Sequence, residues 1–407
     1  MPTERLPSLL EAYRRLPAAA PLQGRLTPPD DVYLVGGAVR DLLRGGQPGD
    51  LDFVVDGDLE PVIGRLGGSV VAYDRFGTAT VAVDGFRYDL ARARRETYAH
   101  PGALPEVAPA GLAQDLQRRD FTVNAMALAL EGGREGTLVS ADQAREDLDR
   151  GLLRVLHDAS FIDDPTRLLR LARYAARLGF AAEAHTLELA GDAVAGAALQ
   201  TVSGPRLGAE LRLASAEPDP VATFEQLHRL AIDDALAPGF GLSDPQLARR
   251  ALRLLPEDGD CGAVVLAAAG LDMPVAQLAA LLERLAFEAG QRDAILAAAA
   301  GARSVAEALR RAERASQIAA AVGRQPRPEL VALAGALGPE APARQWLESL
   351  RGVRLAIDGN DLIAAGVPAG PAVGRGLRAA LEARLDGRVV DREGELAVAL
   401  SEAARTG

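Results

Sequence analysis

The rhythm of apolar and polar positions changes along this chain. Val32–Val35 is a short apolar run that Gly36 and Gly37 break, after which Ala38–Leu43 takes up helical spacing. Leu51–Val55 reads as a strand flanked by Gly and Asp. Val70–Tyr73, Thr78–Val83 and Arg87–Ala91 predict further short strands, with Asp84 and Gly85 marking a hairpin turn. From about Asp142 onward the chain is rich in Ala, Leu and Arg at helical period. Breaks fall at residues 217–220, around Gly239–Gly241, at residues 325–328 and at Gly359. The pattern predicts an α+β protein, a small mixed-sheet head followed by an elongated run of helices.

Composition narrows the class. The 407 residues are 48% hydrophobic and 25% charged, values of a globular protein with room for several cores. The single cysteine, Cys261, excludes an internal disulfide and a cysteine metal cluster, and reads as a packing residue. The N-terminal stretch carries charges through its apolar positions, so neither a signal peptide nor a membrane span is expected, and a cytoplasmic location follows. The formal net charge of −11 argues against a generic nucleic-acid binder, although concentrated positive charge would still hold RNA. Every basic side chain other than the four histidines is Arg. Tyr98, His100, His157 and His185 show no metal-ligand spacing and read as structural.

Asp50 and Asp52 sit two residues apart, which in a strand directs both carboxylates to one face while Leu51, Phe53 and Val55 take the other. Such a pair suits Mg²⁺, with Asp89 as a third carboxylate; the same spacing also occurs in solvated turns. Gly36 and Gly37, between a strand and a helix, suit a triphosphate cradle or simply a tight turn.

The whole string V-G-G-A-V-R-D-L-L-R-G-G-Q-P-G-D-L-D-F-V-V, residues 35–55, is more specific. It resembles the signature of the polymerase-beta-like nucleotidyltransferases, in the branch holding bacterial CCA-adding enzymes and poly(A) polymerases. Residues 118–125, R-R-D-F-T-V-N-A, match a second motif of that branch, and residues 160–180 look like its E-D-x-x-R helix. Residues 202–211 are similar to its neck helix, and residues 358–377 to a segment near the end of many members. Asp163 stands where Glu is usual, Pro205 where Glu is common, and Gln143-Ala144 where a Gly pair is common.

The resemblance implies a nucleotidyltransferase head over residues 1–135, a base-selecting helical neck over 136–215, and a tRNA-binding body and tail over 216–325 and 326–407. Asp50 and Asp52 would hold Mg²⁺, with Asp89 on the side of the attacking hydroxyl. Gly36, Gly37 and Arg40 would meet the triphosphate; for Arg40 a salt bridge to Asp41 or Asp50 is the alternative. Asp120 would accept from the ribose 2′-hydroxyl, with Arg119 and Asn124 supporting sugar and phosphate. Asp164 and Arg167, three apart on one helix, would read the base, and Arg170 would continue the nucleotide-binding side. A carboxylate and a guanidinium together match the edges of cytosine and adenine and mismatch those of uracil and guanine. Asp164 before Pro165 equally reads as a helix cap.

The implied partners are CTP, ATP and the acceptor arm and 3′ end of tRNA, with no membrane and no obligate protein partner. Residues 96–117 replace a longer charged loop usual in enzymes that build all of CCA, and Pro101, Pro105 and Pro109 stiffen the segment. A partial activity is therefore expected, CC addition ahead of terminal A addition. Full CCA addition, polyadenylation and a non-catalytic RNA-binding role are the alternatives. Arg170, Arg173 and Arg177, and separately Arg303, Arg310, Arg311, Arg314, Arg324 and Arg327, form basic stretches suited to phosphate contact or to a solvated face.

Overall fold

The computed structural model describes residues 1–26, 31–73, 77–323 and 327–405. Two compact units emerge, one of residues 1–210 with 229–236 and the other of residues 211–228 with 237–407. The first unit contains the mixed head and most of the expected neck, through residue 210.

The first unit is built on an eight-stranded sheet ordered β1-β10-β9-β2-β3-β6-β5-β4. Its strands are β1 (Thr3–Arg5), β2 (Val32–Val35), β3 (Asp52–Val55), β4 (Ser69–Tyr73), β5 (Thr78–Val83), β6 (Phe86–Arg92), β9 (Met126–Ala129) and β10 (Thr137–Ser140). Only β3 and β6 pair in parallel. β2 and β9 are buried at every position, as befits strands covered on both faces. β10 lies beyond residue 135, so the head sheet runs past the expected boundary. β7 (Arg94–Thr97) and β8 (Glu106–Pro109) form a separate antiparallel hairpin where a stiff loop was expected. Pro109 ends β8 in a two-stranded ribbon, a position where a missing N–H is tolerated.

Among the described residues, the α-helices through residue 215 are α1 (Pro7–Arg14), α2 (Gly37–Leu43), α3 (Leu59–Leu66), α4 (Leu112–Gln117), α5 (Ala144–Arg150), α6 (Ser160–Asp163), α7 (Thr166–Leu178), α8 (Ala184–Ala195) and α9 (Gly204–Ser215), of which α2, α4, α6, α7 and α9 bear on the site. In α7 Leu168, Leu169, Leu171 and Ala172 are fully buried. Arg167 and Arg173 are buried as well, which a simple amphipathic reading does not foresee.

In the second unit one core joins Val305, Leu309 and Ile318 to Val331, Trp346 and Leu347, crossing the expected division at residue 325. A smaller core gathers Ile357, Leu362, Ala380 and Ala399. There the helices Pro371–Leu385 and Arg392–Ala404 approach so closely that a Cβ at Gly376 would stand 2.6 Å from the Ala399 carbonyl oxygen. The basic stretch after residue 300 is largely engaged by its own unit. Arg303 pairs with Asp272, Arg310 donates to the Leu337 carbonyl, and Arg314 faces Asp386, while Arg324 lies outside the described residues. Cys261 is exposed at the start of the helix Cys261–Ala269 and is not the packing residue expected. Among the described residues, no helix is long and apolar enough to cross a membrane.

Candidate active site

The chain leaves β2 at Gly36 with φ of 67°, and a Cβ there would stand 2.9 Å from Arg119 Nη1. Glycine suits both the backbone angle and the close approach of the guanidinium. Asp50 lies in the bend before β3, and Asp52 begins the strand. Both are exposed while Leu51 and Phe53 are buried, so the alternation holds although only Asp52 belongs to the strand.

The parallel pairing places Asp89 of β6 directly beside Asp52. Desolvation raises the Asp52 carboxyl above its ordinary value, and repulsion from Asp89 and Asp50 adds to the rise against the pull of Arg119. Thr80 Oγ1 donates to Asp89 Oδ1 at 2.6 Å. Among the described residues, no three His, Cys, Asp or Glu side chains gather closely enough to hold a metal by themselves. Two adjacent carboxylates that repel each other nevertheless suit a divalent cation, whose remaining positions phosphate oxygens and water commonly fill.

Asp52 opens onto a cleft of about 350 Å³ whose lining also includes Gly36, Gly37, Arg119, Asp120, Asn124, Asp164, Arg167 and Arg170. Nearly all the expected nucleotide-binding residues therefore meet at one place, with Arg40 behind the lining. Asp120 is buried, and its Oδ1 accepts from the Phe121 N–H and from Asn124 Nδ2. Its Oδ2 accepts two bonds from Arg170, at 2.9 and 2.5 Å. Burial alone would raise this carboxyl, but the Arg170 charge and the Asn124 bond bring it down to about 2.

Arg40 was expected at the triphosphate. It is buried and makes the salt bridge to Asp41 given as the alternative, at 2.8 Å, while donating to Asn124 Oδ1 at 2.6 Å. The spacing within α2 places Arg40 on the inner face, where its charge holds Asn124 in position for Asp120. The more available cation is Arg119. Its Nη2 pairs with buried Asp115, whereas its Nε is buried with no hydrogen-bond partner in the protein. An unpartnered guanidinium N–H beside the cleft suits an anionic oxygen.

Asp164 lies between α6 and α7 and not on the helix that carries Arg167. Its Oδ1 accepts from Thr166 N and Oγ1, so the capping role is present. The same oxygen accepts from Arg206 Nη2 at 2.8 Å, while Oδ2 takes no bond from the described residues. Arg167 donates from Nη1 to Ser160 Oγ and from Nη2 to the Arg118 carbonyl, each at 2.6 Å. A guanidinium has five N–H groups, so these two bonds orient it without exhausting it.

Several participants escaped the sequence reading. The ring of Tyr174 has the guanidinium carbons of Arg40, Arg170, Arg173 and Arg177 at 5.3–5.8 Å from its centre. Glu210 pairs with Arg170 and Arg173, so these two arginines of α7 belong to a packed charge cluster, whereas Arg177 is exposed. Tyr98, read as structural, lines the cleft and donates to Glu96, which also pairs with Arg118. The available signal was on α9, where Arg206 and Glu210 lie four residues apart and so share a face.

A mixed sheet with paired carboxylates beside a glycine turn, opening onto a cleft of charged side chains, defines a nucleotidyltransferase head. Residues 32–154 match the family model described as the poly A polymerase head domain. The chain is 37% identical over 361 residues to a CC-adding tRNA nucleotidyltransferase of Deinococcus radiodurans, covering 88% of this chain and 85% of that protein. The chain thus belongs to the tRNA nucleotidyltransferase family. It is also 45% identical over 213 residues to an A-adding tRNA nucleotidyltransferase of Halalkalibacterium halodurans, covering 51% of this chain and 50% of that protein. Against three A-adding relatives it spans half of their length or less. A solved Thermotoga maritima CCA-adding enzyme complexed with tRNA is similar in fold, with a TM-score of 0.79 and 27% identity over 98% of this chain and 99% of that one.

Proposed function

We propose that this chain transfers CMP from CTP to the 3′ end of tRNA, releasing pyrophosphate, and stops once CC has been added. The observation that carries the reading is the single cleft where Asp52, the glycine turn, Asp120, and Asp164 with Arg167 converge. In the reaction the tRNA 3′-hydroxyl oxygen bonds to the α-phosphorus as the bond from that phosphorus to the bridging oxygen breaks. The bridging oxygen leaves with pyrophosphate.

Asp50, Asp52 and Asp89 would hold Mg²⁺, which when bound lowers the pKa of the attacking hydroxyl and neutralises charge on the leaving group. Arg119, with its unpartnered Nε, would take a triphosphate oxygen. Asp120 would accept from the ribose 2′-hydroxyl, in a position fixed by Arg170 and Asn124. Asp164 Oδ2 would accept from the amino group of cytosine while an N–H of Arg167 donates to its unprotonated ring nitrogen. Uracil would set a carbonyl against the carboxylate and an N–H against the guanidinium. In this reading the second unit contacts the tRNA, and the enzyme acts in the cytoplasm.

The restriction to a single phase of synthesis is supported by the hairpin of β7 and β8. Its tip is seated by the Gly102 N–H on the Ile162 carbonyl and by Arg206 on the Gly102 carbonyl, which suits one pocket geometry better than two. CC addition in particular is supported by the CC-adding relative, 85% of whose length the match covers.

Three tRNAs, ending at the discriminator base, at C and at CC, and each given CTP plus ATP, test the restriction. The expected products are two additions on the first, one on the second and none on the third. Addition of A to the third alone would instead make the chain an A-adding enzyme. Complete CCA on the first would make it a full CCA-adding enzyme.

A further inference from the structure

We propose that Arg206 is a positioning residue for nucleotide selection, fixing Asp164 and the hairpin tip to each other; this rests on Asp164 reading the base, as argued above. Arg206 is absent from the cleft lining and stands behind it on α9. Its Nη2 donates to Asp164 Oδ1 at 2.8 Å, and its Nη1 donates to the Gly102 carbonyl at 2.9 Å. One planar guanidinium thus joins the carboxylate to a hairpin some 60 residues earlier in the chain, and its fork fixes the angle between them.

The consequence for Asp164 is directional. Thr166 and Arg206 both bond Oδ1, which leaves Oδ2 as the oxygen without a protein partner among the described residues. A carboxylate held by only one oxygen on the Thr166 side would rotate more freely about its terminal torsion, which is intrinsically broad. Discrimination by a single acceptor depends on that acceptor holding its direction.

The hairpin end of the link is equally specific. Gly102 has φ of 70°, and a Cβ there would stand 2.2 Å from Thr201 Oγ1 and 2.8 Å from the Thr201 backbone. The tip therefore fits its seat only as glycine, which presents the Gly102 carbonyl to Arg206. Displacement of the hairpin would pull on the same guanidinium that orients Asp164.

The test is a mutant cycle on the intact chain with Arg206→Gln, Asp164→Asn and the double variant. Each is assayed for kcat/KM with CTP and with UTP on a tRNA lacking its CCA end. Arg206→Gln should lower the CTP preference about tenfold. In the Asp164→Asn background, whose own preference is already reduced, the same change should add nothing, because Arg206 acts through Asp164.

Equal, independent losses in both backgrounds, or an unchanged preference in Arg206→Gln, would overturn the proposal while leaving the Asp164 reading intact. An unchanged preference in Asp164→Asn would overturn both. Should Arg206→Gln fail to fold, Arg206→Lys enters the same cycle. Lys keeps the charge without the fork, so an intermediate loss that vanishes beside Asp164→Asn supports the role, and a loss that persists there refutes it.

Discussion

Replacing Asp52 by Ala should reduce nucleotide transfer by at least ~10³-fold while leaving folding and tRNA binding close to wild type. Asp52 is exposed at the start of β3 and anchors no core contact, so a stability loss is not the expected cause. Its position beside Asp89, two residues after Asp50, makes it the centre of the three carboxylates. Removing it relieves its own repulsion with the other two and so favours the folded chain slightly. A rise or no change in thermal midpoint together with lost turnover is the signature of a metal-binding role. Retention of more than a tenth of wild-type transfer would remove Asp52 from the metal site.

The largest stability effect is expected at Arg170. Its guanidinium makes two bonds to the buried carboxylate of Asp120, and Arg170→Ala would leave that charge bonded by Asn124 and a backbone N–H, with the Arg167 charge as its remaining cation. Breaking a buried pair from one side commonly costs about 3–5 kcal/mol, and the partial exposure of Arg170 places this case near the lower end.

The pH dependence follows from the sign of the shift. In the folded chain the Arg170 charge and the Asn124 bond, acting against burial, bring Asp120 down to about 2, below its ordinary value of 3.8. Its contribution is therefore complete above pH ~4 and is lost as the pH falls toward ~2. Urea denaturation at pH 7 and at pH 3 should show the gap between wild type and Arg170→Ala narrowing at the lower pH. A gap that is constant with pH would mean that Arg170 stabilises by packing and not through the charge of Asp120.

The parts of the fold legible in the sequence were those where local chemistry and final environment agree. Val32–Val35, Thr78–Val83 and Leu51–Val55 carry β-branched residues between Gly and Asp, and strands formed there, Leu51–Val55 shortened to Asp52–Val55. Met126–Ala129 did not announce itself, because Met, Ala and Leu favour helix; pairing with β2 and β10 makes it a strand. The N-terminal β1 escaped for a related reason: three polar residues become a strand only by lying along β10.

In the site, the alternation of Asp50 and Asp52 was readable, whereas the register that brings Asp89 beside Asp52 was not. Burial was not foreseen for Arg40, expected at the triphosphate or in a salt bridge, or for Arg173, expected to meet phosphate or solvent, because a charged side chain is expensive to bury alone. Both are buried because Asn124 and Glu210, distant in sequence, supply partners. Tyr174 was hidden for the same reason. Its place among four arginines depends on α2 and α7 meeting, which no spacing within either helix reveals.

Protein-templated transfer to a tRNA end is tested most directly by supplying one nucleotide at a time. Wild-type chain, Mg²⁺ and a tRNA ending at its discriminator base are incubated in turn with each of the four α-labelled nucleoside triphosphates, and released pyrophosphate is counted alongside. The predicted result is two labelled CMP residues per tRNA 3′ end with one pyrophosphate for each, and negligible label from UTP or GTP. Absence of label from the tRNA with every triphosphate, or incorporation of UMP as readily as CMP, would contradict it.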